Sequence, residues 1–351
     1  MYKLYYPQEF LFESSRSSLF PLLKPFLKER SFTNKERIEQ YGVSDLTFSF
    51  VDDTNECDFI VLPMTWNYYK KNNLFDTIIK FIETNQNKTI LSYTSGDFGV
   101  KTPNYSNLYV LRENGYRSKL YKNHIGIPVF IKDPLKNLYS RTEVIPLNYS
   151  LSPIVGFCGQ SNFTFKAAVI DIIRVILKNT KYYLGLRDEL PQRILSSSYL
   201  RGKILNVIKN SISIKDNFIE RKKYRAGVKT NEDRIKTTQE FYDNIKDSHY
   251  IICLRGGGNF SVRIYETLAM GRIPLFINTD CLLPLDIDNE WKKHVVWVEE
   301  DNLHELEDVL DAFHKKLSKD SLQDYLNNNR EFWKEKLSLN GYFLNLFSKL
   351  K

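Results

Sequence analysis

Cysteine is scarce in this chain: its four copies, Cys57, Cys158, Cys253 and Cys281, are widely spaced among 351 residues. There is no CxxC and no cysteine–histidine cluster, which argues against a zinc site. The thiols lie mostly within apolar runs, so the expectation is buried free cysteines in a reducing compartment. Long apolar runs are missing as well, and no stretch approaches the length of a membrane span. The amino-terminal MYKLYYPQEFLF has neither the apolar centre nor the cleavage site of a signal peptide. These absences point to a cytoplasmic protein, at most peripheral to a membrane. Internal repeats and low-complexity tracts are absent too. Neither a Walker A pattern nor GxGxxG occurs, so no generic nucleotide-binding fingerprint is met.

What the chain does have is bulk and positive charge. Its length predicts two domains more readily than one. Hydrophobic residues make up 42%, enough for two cores, and 26% charged residues is ordinary, so disorder is not expected. Tyr and Phe dominate the 14% aromatics, which suits sugar stacking and plain core packing alike, with packing the default. A net charge of +8 can serve nucleic acid, anionic lipid or an anionic substrate. The lysines are dispersed, with only a modest run at Arg221-Lys222-Lys223 and Arg225. That argues against nucleic acid as a partner. Nucleotide-sugar phosphates, or weak attraction to a membrane surface, make better use of the charge.

The chain is organised around HYIICLRGGGNFSVRIYETLAMGRIPLFI, residues 249–277, which reads as strand, glycine loop, helix, strand. His249 to Leu254 is short, apolar and partly β-branched, as a buried strand requires. Gly256, Gly257 and Gly258 follow Arg255 directly. Consecutive glycines mark a place where φ is positive or where something approaches the backbone closely. Asn259 or Ser261 can cap the next helix. Ile264 and Leu268, with Tyr265 and Ala269 on a neighbouring row, give that helix a packing face. Gly271 ends it, Arg272 meets the negative end of its dipole, and Pro274 opens the next strand.

A glycine loop running into a helix N-terminus presents amides and partial positive charge, which suits an anion such as phosphate. Arg255 and Arg263 flank it. Arg263 and Glu266 are three apart and share a helix face. A carboxylate there can accept both hydroxyls of a ribose while phosphates occupy the helix start. An ordinary tight turn with a surface ion pair fits the same spacing.

The order of residues across this region resembles the carboxy-terminal signature of the exostosin family of glycosyltransferases. The resemblance is carried by Ser248, Cys253-Leu254-Arg255-Gly256, Ser261, Arg263 and Glu266, Gly271-Arg272-Ile273-Pro274, Leu283-Pro284 and Glu290-Trp291. Leu254 departs from it, since the family usually has Pro before the Arg. The resemblance implies a GT-B fold: two Rossmann-like α/β domains facing each other across a cleft. It implies an inverting, metal-independent glycosyltransferase with a nucleotide-sugar donor, a UDP-sugar favoured, and a glycan or glycoconjugate acceptor. A hexosyl or pentosyl group would be transferred. By the same resemblance Glu266 holds the ribose, and Arg255 and Arg263 the diphosphate. No cofactor is implied, the nucleotide-sugar being a substrate. A non-catalytic GT-B-like protein that binds nucleotide or sugar is the alternative.

The rest of the chain fits two such domains, 1–150 on the acceptor side and 151–330 on the donor side. Residues 331–351 form a last helix expected to cross back to the first domain. Strands are predicted at 46–51, 58–62, 89–93, 107–113 and 125–131, and a broken helix at 17–30. After the strand TILSY comes Thr94-Ser95-Gly96-Asp97-Phe98-Gly99. Open α/β sheets bind ligands beyond the carboxyl ends of their strands, so Asp97 is the candidate general base, with His124 in reserve. A simple Gly-Asp turn is the competing reading.

Ile154 to Cys158 opens the second domain. Gly159-Gln160-Ser161-Asn162 then makes another anion-binding candidate, with Gly159 and Ser161 as weaker donor contacts. Phe165 to Asn179 reads as a long helix with Ala167, Ile170, Ile173 and Leu177 on one face. Tyr182 to Leu186 is a possible strand by composition, and 190–235 reads as polar, irregular segments. Asp286-Ile287-Asp288 spells the metal-binding pair of a GT-A enzyme, but it follows Leu-Pro in a loop. A solvated acidic loop accounts for it, and no metal is expected.

Overall fold

The computed structural model describes residues 1–27, 32–161, 164–285 and 287–351. Its frame is two all-parallel sheets. The first contains β1 (Tyr2–Tyr5), β2 (Phe48–Phe50), β3 (Phe59–Val61), β4 (Ile90–Thr94), β5 (Leu108–Arg112) and β6 (His124–Gly126), in the order β2-β1-β3-β4-β5-β6. The second contains β7 (Ile154–Gln160), β8 (Lys215–Arg221), β9 (Tyr250–Cys253), β10 (Ile273–Asn278) and β11 (Val296–Glu299), in the order β11-β10-β9-β7-β8. The helices of the first half are α1 (Asn34–Tyr41), α2 (Trp66–Lys71), α3 (Phe75–Thr84) and α4 (Pro134–Tyr139). Those of the second are α5 (Phe165–Tyr183), α6 (Ser197–Asn210), α7 (Asn231–Lys246), α8 (Val262–Ala269), α9 (Asp288–Trp291), α10 (Leu306–His314), α11 (Lys319–Phe332) and α12 (Leu339–Leu350).

Parallel strands buried on both faces read as continuous apolar runs, and period-2 geometry sends neighbours to opposite sides. In β9, Tyr250 and Ile252 enter a core with Ile204, Leu310 and Leu326, while Ile251 and Cys253 enter another with Ile264, Leu268 and Trp291. The first sheet is built likewise. Ile60, Ile90 and Val110 pack with Trp66, Ile78 and Ile82, while Phe59, Leu91 and Leu111 pack on the opposite face. On that face lie Tyr342, Phe343, Leu346 and Phe347 of α12, so the last helix completes the first sheet. Two parallel α/β units facing each other across a cleft constitute the GT-B architecture.

Several local expectations are corrected. The stretch 17–27 forms short 3-10 turns, including Pro21–Leu23, where Pro21 and Pro25 deny helix donors; residues 28–31 lie outside the described part. Only His124–Gly126 of the 125–131 region pairs as a strand. Residues 182–183 end α5, and the chain then turns rather than forming a strand. The region 190–235 holds α6, β8 and the first turn of α7. The chain crosses to the second sheet before residue 150, because Leu135 and Val144 already lie in cores of that sheet.

Candidate functional site

The glycine turn lies at the carboxyl end of β9 and faces the loop after β4. None of Gly256, Gly257 and Gly258 has a positive φ, and close approach explains Gly257 and Gly258. The approaching group is Asp97. A Cβ on Gly258 would overlap the Asp97 carbonyl oxygen, and one on Gly257 would sit 3.3 Å from Asp97 Oδ2. Around Gly256 there is open space within 4 Å. Its amide is already used, donating to the Phe260 carbonyl at 3.1 Å.

Asp97 itself is exposed, on a loop that is firmly held. Thr94 Oγ1 and the Ser95 amide donate to Asn67 Oδ1, both at 3.0 Å, and Asn114 Nδ2 donates to the Gly96 carbonyl. Val100 bridges to Glu189 in antiparallel fashion, tying this loop to the segment after α5.

A cavity opens between these parts. Gly256, Gly257 and Arg255 form one side, Asp171, Arg174 and Lys178 of α5 another, and Arg187, Glu189 and Arg193 a third, with Phe98 entering from the first unit. Five cations and two carboxylates therefore line it. The Phe98 ring carries Lys178 Nζ at 4.8 Å and the Arg187 guanidinium at 5.3 Å.

Arg255 is only 4% exposed, yet every acceptor it has among the described residues is neutral. It donates to Tyr116 Oη at 2.6 Å, Gln192 Oε1 at 3.4 Å and the Gly257 carbonyl at 3.3 Å, while its Nε is buried with no acceptor. A buried guanidinium without a carboxylate retains most of its positive potential, and burying an uncompensated charge is costly. The site is electrostatically incomplete until an anion enters.

A second pole of positive charge lies at the carboxyl end of β7. Arg263 donates to the carbonyls of Cys158 at 2.8 Å and Ile252 at 3.3 Å, stacked 4.7 Å over Phe157. Arg201 donates to the Gln160 carbonyl at 2.8 Å. Burial, and next the charge of Arg263, push Arg201 down to about 10.

Residues 164–313 match the Exostosin GT47 domain. The match runs from the start of α5 into α10, and so contains the glycine turn and the cationic wall facing it. No curated protein matches the chain. Among solved structures, a point mutant of S. aureus TarM in complex with fondaparinux, α-GlcNAc-glycerol and UDP aligns with a TM-score of 0.36 at 10% identity, over 83% of this chain and 54% of that one. A glycosyltransferase from Rickettsia africae aligns with a TM-score of 0.34 at 11% identity, over 84% of this chain and 77% of its own. The present chain thus spans about half the length of TarM.

Within the matched region and opposite it, the expected residues do not all meet. Arg255, Gly256, Gly257 and Asp97 converge at the cavity or its rim. Arg263 and Glu266 do not line it: Arg263 turns toward β7, and Glu266 accepts from Tyr242 Oη at 3.5 Å. Gly159 and Ser161 belong with Arg263, since a Cβ on Gly159 would sit 3.1 Å from the Arg263 guanidinium, and the Ser161 amide bonds the Arg221 carbonyl. Asn162 and Asp286 lie outside the described residues, and Asp288 is paired with Arg117 at 3.1 Å.

Two assignments are corrected. Asn259 is fully buried and structural: its Nδ2 donates to the carbonyls of Gly115, Thr279 and Asp280, and its Oδ1 accepts from Thr279 Oγ1. It neither caps α8 nor reaches the cavity, and Ser261 stands at the cap position without a side-chain cap bond. His124 is buried between Thr102 Oγ1 at 3.2 Å and the Arg112 guanidinium at 3.1 Å. Burial, and then Arg112, push it down to about 3, so it is a neutral core histidine and not a cleft base.

Sequence reasoning missed Arg201, hidden in a stretch read as irregular, and Glu113. Glu113 follows β5 directly, accepts from Tyr93 Oη at 2.7 Å, and is held above the usual carboxylate range chiefly by burial. The signal that could have found it is its place at a strand's carboxyl end in the first sheet, the argument that selected Asp97.

Proposed function

We propose that the protein is a metal-independent, inverting glycosyltransferase that moves a sugar from a nucleotide-sugar, preferably a UDP-sugar, to a hydroxyl of a glycan or glycoconjugate. The observation that carries this reading is Arg255: a buried cation with neutral partners only, beside a glycine turn, in a cation-lined interdomain cavity of an exostosin GT47 domain.

Transfer requires a stabilised leaving diphosphate, a positioned anomeric carbon and an acceptor hydroxyl that loses its proton. Arg255 and the amides of Gly257 and Gly258 meet the first need. Arg263, with Arg201 beside it, supplies further positive charge, and Glu266, one turn into α8, takes the ribose hydroxyls. Asp97 faces the turn from the first unit and removes the acceptor proton. Cationic side chains then neutralise the charge that a metal would otherwise carry.

The test is transfer or slow hydrolysis with a panel of UDP-, GDP-, ADP- and CMP-sugars, with and without EDTA. Turnover with one nucleotide class, undiminished by EDTA, is expected. Binding of a nucleotide with no turnover for any sugar would instead make the protein a non-catalytic binder. Abolition by EDTA and rescue by Mn²⁺ would remove metal independence.

A further inference from the structure

The apolar stripe of α5 is turned to solvent rather than into a core. Phe165 is 80% exposed, Ile173 50% and Leu177 57%, with Val169, Ile170 and Ile176 also open. At 100° per residue these six side chains cover an arc of about 140°, where an ordinary surface helix turns such a stripe inward. Ala168 is the buried residue of the helix, and Asp171, Val175 and Asn179 point to the cavity side. Tyr183, Leu184 and Leu186 extend the exposed apolar surface past the helix end. Exposed apolar area concentrated in this way marks a surface that meets another phase or another molecule.

The charges around the stripe are of one sign. Lys166 lies within the arc and Lys181 along its edge, both exposed, while Arg174 lies toward the cavity side and pairs with Asp171 at 3.7 Å. Asp171, the helix's one acid, sits on the opposite side, accepting from Ser198 Oγ at 2.6 Å and Ser196 Oγ at 3.3 Å. A helix with an apolar face bordered by Lys and Arg lies in the plane of an anionic bilayer, its apolar side chains among the acyl chains and its cations at the headgroups. Among the described residues no helix is long and apolar enough to cross a membrane.

We propose that α5 docks the protein on the surface of an anionic lipid bilayer through Phe165, Val169, Ile170, Ile173, Ile176 and Leu177, with Lys166 and Lys181 facing the headgroups. The other edge of the same helix is a wall of the Arg255 cavity, so docking sets that cavity beside the membrane. This goes beyond the reading of the site and is independent of turnover.

The test is flotation of the full chain with phosphatidylcholine vesicles, with and without phosphatidylglycerol. Wild-type protein floats with the anionic vesicles, scarcely with the neutral ones, and less at high salt. An Ile173→Glu, Leu177→Glu double variant stays unbound; both positions are exposed, so its circular dichroism and thermal midpoint match wild type. A Lys166→Gln, Lys181→Gln variant binds anionic vesicles roughly 30-fold more weakly, from about 1 kcal/mol per basic residue near the surface. Failure of the wild type to float overturns the proposal, as does equal flotation of the Glu variant. A lipid-free dimer, by light scattering, that becomes monomeric in the Glu variant while vesicles stay unbound assigns the stripe to a second copy and also overturns it.

Discussion

Gly256, Gly257 and Gly258 are neighbours in sequence but meet different surroundings. Gly258→Ala forces a methyl group against the Asp97 carbonyl and is expected to destabilise the fold by about 1–3 kcal/mol. Gly256→Ala, with nothing nearby, should leave the melting temperature unchanged. Paired thermal denaturation curves of the two variants check this. Arg255→Ala removes the buried cation and should weaken UDP binding by roughly tenfold or more, the worth of a charge-assisted hydrogen bond, as read by calorimetric titration. For the base, Asp97→Asn is expected to lower kcat by about 100-fold or more with little change in donor KM. A comparable fall in Glu113→Gln alone would move the base to Glu113. Histidine protonation adds a pH dependence. Burial holds His124 down to about 3 and His249 down to about 4, whereas the unfolded chain protonates them near 6.5. The unfolded state therefore binds more protons below that pH, and stability falls as pH drops from about 6.5, by up to roughly 1.4 kcal/mol per unit for each histidine. Urea midpoints at pH 7.5 and pH 5 should show this loss, and His124→Gln should reduce it.

Elements differ in how openly the sequence declares them. β4, β7, β9 and β10 are buried on both faces, so their runs of Val, Ile, Leu and Phe have one reading. α8 shows a face of Ile264, Leu268 and Ala269 that the core accepts. β8, Lys-Asp-Asn-Phe-Ile-Glu-Arg, is an edge strand with one neighbour and polar residues outward, so it lacks the apolar run that marks its partners. α6 was obscured by its serines and lysines. In α5 the periodicity is genuine while the apolar face is turned to solvent, a distinction no spacing rule contains. The site was legible where chemistry and backbone coincide, at Arg255 and the glycine turn. It was not legible at Asn259, whose role is set by the Gly115 carbonyl, 144 positions away, and by those of Thr279 and Asp280. At this scale α12 is the element to remove: Phe347 stacks on Phe59 at 4.8 Å between centroids. Phe347→Ala should cost about 3–5 kcal/mol, measured by chemical denaturation.

The two units are stitched along a long seam. Asn259 reaches Gly115, Ser118 Oγ donates to Asp280 at 2.6 Å, and Arg117 pairs with Asp288. Leu285, from the loop after β10, is buried in the core of the first sheet. Interfaces of this kind couple the stability of their halves. Scanning calorimetry should show one unfolding transition, and two resolved peaks would show that the seam does not transmit cooperativity.

The placement of α12 also bears on the order in which a nascent chain acquires structure. Phe48, Phe59 and Leu91 are made some 250 residues before the side chains that cover them, Phe343, Leu346 and Phe347. The first sheet must wait, its oily face unroofed, until residues 343–347 have left the ribosome. The later sheet, whose covering helices follow it closely, can settle sooner. Translation that stalls before residue 339 would leave a sticky half-product, the kind of client that holding chaperones shield.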